Sequence, residues 1–212
     1  VEYIIMAGST WKPTRHLSMI YGETLLDRTI RLLMENGVSK KDIYITPSQE
    51  LRDILLKREL PARLVMFNHN KTGLWLDCFF RRTCSCVYLF GDVVYSPEAI
   101  NTIVKTETND VEFFASAPPF SAQYSKKWAE PFAFKVVNQK HFKIALDKTI
   151  KLHEDKKFKR SPLAWELWQV IKNTPLNDID YTNYTVINDY TCDIDEIEDI
   201  YKFDGGNEWR IT

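Results

Sequence analysis

The stretch from Glu2 to Arg15, EYIIMAGSTWKPTR, constrains this chain more than any other. Tyr3, Ile4, Ile5 and Met6 form an uninterrupted apolar run, β-branched in the middle, which predicts a strand buried on both faces of an α/β sheet. Ala7, Gly8, Ser9 and Thr10 come next, at its carboxyl end. Small side chains there let backbone N–H groups come close to an anion, and Lys12 and Arg15 bring positive charge for a phosphate. The same residues would also serve as an ordinary strand and turn, so the rest of the chain must decide.

Beyond this turn the chain alternates strand and helix. Glu23 to Asn36 has Leu25, Leu26, Ile30, Leu33 and Met34 at helical spacing and stops at Gly37, a natural helix terminator. Asp42 to Thr46 reads as a strand, completing a βαβ unit whose ligand edge is the carboxyl end of its first strand. Ser48 caps a helix running to about Arg58, and Arg63 to Phe67 is the next strand. The polar turn Asn68 to Gly73 then leads into a helix expected over Leu74 to Arg82. A loop leaving a strand comes out on the ligand edge, so this turn is placed to reach the same site as Gly8.

Cys86 to Phe90 is another buried strand, ended by Gly91-Asp92. A carboxylate at that edge is a candidate ligand for Mg²⁺ bridging nucleotide phosphates. Ser96-Pro97 opens a helix, and Val111 to Ser116 returns to the sheet. Ala117 to Pro131, with three prolines, Tyr124 and Trp128, is too long for a minimal connection and reads as a lid. Phe132 to Val137 is a strand, Asn138 caps a basic helix to about His153, and Pro162 opens a helix with Trp165 and Trp168 packed in the core. Tyr184 to Asn188 leads into the acidic run from Asp189 to Ile200, where carboxylates two apart suit either a divalent cation or a capped helix end.

With 212 residues, 44% hydrophobic and 27% charged, the chain has the composition of a globular domain, and its net charge of −1 excludes a general attraction to nucleic acid or anionic lipid. Charge is nevertheless segregated. Lys140 to Arg160 has eight Lys/Arg against three acids, while Leu176 to Glu208 has ten acids and only Lys202. No apolar run reaches the roughly 20 residues of a membrane span, and the opening residues lack a signal pattern, so a cytoplasmic location is expected. Cys78, Cys84, Cys86 and Cys192 lack metal-ligand spacing and are expected to be reduced and buried.

Together these motifs resemble the nucleotidyltransferases of the GT-A type, the sugar-nucleotide pyrophosphorylases and cytidylyltransferases, over nearly the whole chain. The counterpart of that family's opening is IIMAGST, Lys12, Pro13-Thr14-Arg15-His16-Leu17 and Gly22-Glu23-Thr24-Leu25-Leu26. The opening turn is shorter than the family's, keeps one glycine and has Arg15 where the family has lysine. The resemblance implies one Rossmann-like α/β domain over 1–212, a mostly parallel sheet flanked by helices, with a nucleotide-binding part (1–116) and an acceptor and second metal-motif part (117–212). It places the triphosphate on Ala7, Gly8, Ser9, Thr10, Lys12 and Arg15 and the base near Asn70, Thr72 and Gly73. Mg²⁺ falls to Asp92 with Asp193 or Asp195, from the Asp-Ile-Asp motif, and the acceptor to Trp128 and Glu130.

The activity implied is Mg²⁺-dependent transfer of a nucleoside monophosphate from a nucleoside triphosphate to a phosphorylated sugar or alcohol, with release of pyrophosphate. Lys12, Arg15 and Asp92 are the expected catalytic groups. Neither nucleic acid nor membrane is an expected partner, and a homodimer is compatible with the reading. Two alternatives stay open. A glycosyltransferase of the same fold would use a nucleotide sugar, although Asp92 is followed by Val93-Val94 rather than a second acid; a binding module would keep the fold and lack the chemistry.

Overall fold

This computed structural model describes residues 1–8, 13–118, 129–195, 199–200 and 203. Strand β1 (Glu2–Ala7) forms on the apolar run and is buried from Tyr3 to Ala7. The short strands β2 (Met19–Ile20) and β3 (Glu23–Thr24) pair before helix α1 (Leu25–Glu35), whose first turn is capped by Thr24 accepting from the Asp27 N–H at 3.1 Å. Gly37, at φ +84°, takes the left-handed position that ends it. Strand β4 (Ile43–Pro47) then pairs in parallel with β1, giving the expected βαβ unit. Ser48 caps α2 (Gln49–Leu55), which stops before Arg58, and β5 (Arg63–Leu64) is shorter than the expected Arg63 to Phe67.

Beyond β6 (Cys86–Phe90) and β7 (Val93–Val94), Ser96 and Pro97 open α3 (Pro97–Lys105) as their residue types require. Strands β8 (Val111–Ala115) and β9 (Pro131–Val136) are antiparallel neighbours. Asn138 caps α4 (Gln139–Glu154), and α5 (Ala164–Lys172), β10 (Thr185–Val186) and β11 (Cys192–Asp193) complete the order. The main sheet has seven strands in the order β10-β8-β9-β6-β1-β4-β5, with β9 running against the others. The carboxyl ends of β1, β4 and β6 and the amino end of β9 therefore share one edge. A separate ladder joins β11 to β7.

Three expectations need correction. Leu74 to Arg82 is no α-helix; it contains a single 3₁₀ turn, Trp75–Cys78. The Asp77 carboxylate accepts from the Thr72 and Gly73 N–H groups and from the Thr72 hydroxyl, folding the chain back, and Phe79 then plunges among Tyr88, Phe134 and Phe142. Of the four cysteines expected to be buried, Cys84 is exposed and Cys78 half-buried, and Cys86 and Cys192 are buried. Helix α5 starts at Ala164 rather than Pro162, because Glu166 reaches back to accept from the Leu163 N–H at 3.0 Å.

Trp165 and Trp168 are buried, as their spacing implied, against Phe113 of β8. These contacts and the stack of Tyr88 on Phe142 pin α4 and α5 to the sheet. Among the described residues no helix is long and apolar enough to cross a membrane.

Candidate active site

The strand-exit edge is built first by two glycines that need space rather than unusual torsions. Gly91 donates its N–H to the Met6 carbonyl at 3.0 Å, and a Cβ there would lie 2.5 Å from that oxygen. At Gly8 a Cβ would run into the imidazole of His69, which folds across from the loop after β5. The ends of β1 and β6 can thus approach each other, and His69 can pack over Gly8, only because neither residue carries a side chain.

Onto this floor the chain places opposite charges. Arg15 Nη2 meets Asp92 Oδ2 at 2.5 Å, both side chains being largely buried. The Asp92 carbonyl accepts from the Ile194 N–H at 2.8 Å and Asp193 pairs with Val93, so the β7–β11 ladder carries the Asp-Ile-Asp motif to the Gly-Asp motif. Asp189 anchors the approach: its carboxylate accepts from the Ser96 hydroxyl at 2.6 Å and the Thr191 N–H at 2.7 Å. That acid of the terminal run is thus a fastening at the start of α3. Beneath, His16 Nδ1 is 2.8 Å from the Gly91 carbonyl, and burial pushes the ring's pKa below its ordinary value despite the pull of Asp92 and the Gly91 carbonyl the other way. A neutral ring donates through Nδ1.

The facing wall comes from the second half of the chain. Glu130 precedes β9 and is only 6% exposed. Its N–H donates to the Ser116 hydroxyl at 2.8 Å and its carbonyl accepts from the Ser116 N–H at 2.9 Å, while the Trp165 indole N–H holds the adjacent Ala129 carbonyl at 2.7 Å. A core tryptophan therefore also sets the position of a cleft carboxylate. Between the walls lies a cavity of about 590 Å³ lined by Gly8, Arg15, Asp92, Glu130, Arg160, Asp193 and Asp195, among others.

Most of the expected site residues that are described converge here, with exceptions. Ala7 is buried within β1, so its side chain serves the sheet. Asn70 lines the cavity, but Thr72 and Gly73 do not; they are bound by Asp77 into the loop's own fold. Ser9, Thr10, Lys12 and Trp128 lie outside the described residues. Among the lining residues that were not singled out from the sequence are His16, His69 and Arg160. Arg160 ends the basic run that segregation of charge had marked. His69 carried no signal beyond its place in a strand-exit loop; burial lowers its pKa, although the carbonyls of Thr46 and Pro47 favour its charged form.

The donor set suits a hard cation. Asp92, Asp193 and Asp195 line one cavity, and among the described residues no group of three or more His, Cys, Asp or Glu is placed to hold a metal ion. Mg²⁺ usually takes one or two carboxylates and completes its shell with water and substrate phosphates.

No protein-family model and no curated sequence matches the chain. Solved structures do. The inositol-1-phosphate CTP transferase from T. maritima is 13% identical, with a TM-score of 0.56 over 97% of this chain and 96% of that one. This chain has the nucleotidyltransferase fold. The CTP:phosphocholine cytidylyltransferase from Streptococcus pneumoniae shares it at 12% identity and a TM-score of 0.52, over 95% of this chain and 96% of its own. HddC from Yersinia pseudotuberculosis, complexed with GMP-PN, gives 14% and 0.51 over 95% and 97%. The resemblance carried by the motifs is to this same nucleotidyltransferase fold.

Proposed function

We propose that this chain is a Mg²⁺-dependent nucleotidyltransferase that transfers a nucleoside monophosphate from a nucleoside triphosphate to a phosphorylated sugar or alcohol and releases pyrophosphate. The observation that carries the reading is the meeting of the Gly8 turn, the Arg15–Asp92 pair and the Asp193-Ile194-Asp195 segment in one cavity, with Glu130 on the other side. Structural neighbours of the same fold are named for reactions of this kind. Residues 1–116 would hold the nucleotide and 117–212 the acceptor and the second acidic motif.

In this reaction an oxygen of the acceptor phosphate attacks the α-phosphorus, the bond to the bridging oxygen breaks, and pyrophosphate leaves. No protein nucleophile is needed. The residues' task is to align two anions and absorb the charge that develops between them. The Gly8 turn admits the phosphates, and Arg15 is positioned where an arriving triphosphate offers it a second anion beside Asp92. His16, donating to the Gly91 carbonyl, fixes the backbone that carries Asp92. Glu130 accepts hydrogen bonds from acceptor hydroxyls. Asp92, with Asp193 or Asp195, would hold Mg²⁺, which when bound neutralises phosphate charge.

The test is pyrophosphate release by purified protein across pairings of the common nucleoside triphosphates with sugar and polyol phosphates, with and without Mg²⁺. Turnover with at least one pairing is expected. Tight Mg²⁺-dependent triphosphate binding with no turnover across the panel would instead leave a binding module.

A further inference from the structure

Glu166 is 5% exposed in its side chain and already accepts from the Leu163 N–H at the start of α5. It also holds Arg160, through Nε at 2.6 Å and Nη2 at 3.4 Å. A guanidinium is a planar fork, and these two bonds use one edge of it. Nη1 and the outer N–H of Nη2 belong to the other edge, on a side chain 54% exposed that lines the cleft. The buried carboxylate accounts for one edge of Arg160 and leaves the second for a ligand.

The charge of the cleft says which ligand. Among its described lining residues, the carboxylates of Asp92, Glu130, Asp193 and Asp195 stand against the guanidinium groups of Arg15 and Arg160. Arg15 is already engaged with Asp92. A phosphorylated acceptor adds negative charge on the side of Glu130, where Arg160 is the described cation, already fixed in place by Glu166. Two parallel N–H groups match two oxygens of a phosphate.

Resting on the function proposed above, we propose that the outer edge of Arg160 is a phosphate subsite, separate from the Gly8 turn, that takes the phosphomonoester of the acceptor. Calorimetric titration of the full chain with glycerol 1-phosphate and with inorganic phosphate, in the absence of nucleotide, reads this subsite without needing turnover. Arg160→Gln is expected to weaken phosphomonoester binding about tenfold or more while leaving triphosphate affinity unchanged. Arg160→Lys, which keeps the charge but not the fork, is expected to fall between.

Wild-type phosphomonoester affinity in folded Arg160→Gln overturns the proposal. So does an equal loss for both ligands, which would assign Arg160 to the triphosphate. Should the Gln variant fail to fold, undiminished affinity in Arg160→Lys overturns it. Turnover combined with phosphomonoester binding indifferent to Arg160 sinks the subsite alone; binding that depends on Arg160 without any turnover sinks the enzymatic reading alone.

Discussion

The two walls of the cleft are made in different ways. The wall of Gly8, Arg15 and Asp92 grows from turns at the ends of parallel strands, where missing side chains let backbone segments touch. The wall of Glu130 and Arg160 is held by large buried groups: the Trp165 indole, which reaches the distant Ala129 carbonyl, and the Glu166 carboxylate, which holds the nearby Arg160. The first wall is backbone geometry decorated with charge, and the second is side-chain packing that aims charge. Substitutions should therefore fail differently on the two sides.

The largest effect is expected at Asp92. Asp92→Asn keeps the shape of the side chain but removes the charge that meets Arg15 and would bind the cation, and pyrophosphate release should fall about 10²- to 10³-fold, on the scale of losing one transition-state electrostatic contact. Circular dichroism should show the fold intact. Turnover close to wild type would mean that the chemistry does not run along the first wall.

Next come the glycines, which test whether that wall depends on backbone contact. In Gly91→Ala the new methyl meets a main-chain oxygen that cannot move without β1, so a loss of about 1–3 kcal/mol is expected in denaturant unfolding. Gly8→Ala meets, as its nearest atoms, those of the His69 ring, a side chain that can swing aside. It should cost less, and His69→Ala in that background should recover part of the loss, as a coupled pair would. A larger loss at Gly8 than at Gly91, or no recovery, would mean that the floor does not rest on these contacts.

This contrast also explains what was legible in the sequence. Strands β1, β4 and β6, the caps Ser48, Ser96 and Asn138, and the Gly-Asp and Asp-Ile-Asp motifs are local patterns that short windows contain. The meeting of the two acidic motifs was not visible in windows of that kind, since it depends on a two-residue ladder between β7 and β11. Thr72 and Gly73 looked like ligand groups because their residue types are the same whether they face a nucleotide or Asp77. The helix expected over Leu74 to Arg82 failed because Phe79 has more to gain in the aromatic cluster than from helical periodicity. Arg160 was hidden within a basic run whose other members gave no reason to choose it.

On the second wall, Glu130→Gln keeps the size and hydrogen-bonding reach of the side chain while changing its charge. The KM for the phosphorylated acceptor should rise about tenfold, with kcat and triphosphate affinity little changed, the signature of lost ground-state binding. Equal changes for both substrates would erase the division between the walls. A fall in melting temperature with unaltered kinetics would make Glu130 part of the packing held by Ser116 and Trp165.

The smallest effect concerns the lid of the first wall, His69, and it is read in stability rather than rate. Burial disfavours the charged ring, so its folded pKa lies below the ordinary histidine value of 6.5. Below about pH 6.5 the unfolded chain binds a proton that the folded chain refuses, so unfolding becomes easier as the solution is acidified. The contribution is present in full above that pH and declines as pH falls toward the folded pKa. His16 is shifted in the same direction for the same leading cause and adds to the slope. In His69→Gln the stability profile between about pH 7 and pH 5 should be flatter than in wild type, with a residual slope left by His16. If the two profiles are parallel, the ring is already solvated in the free protein and does not cover Gly8.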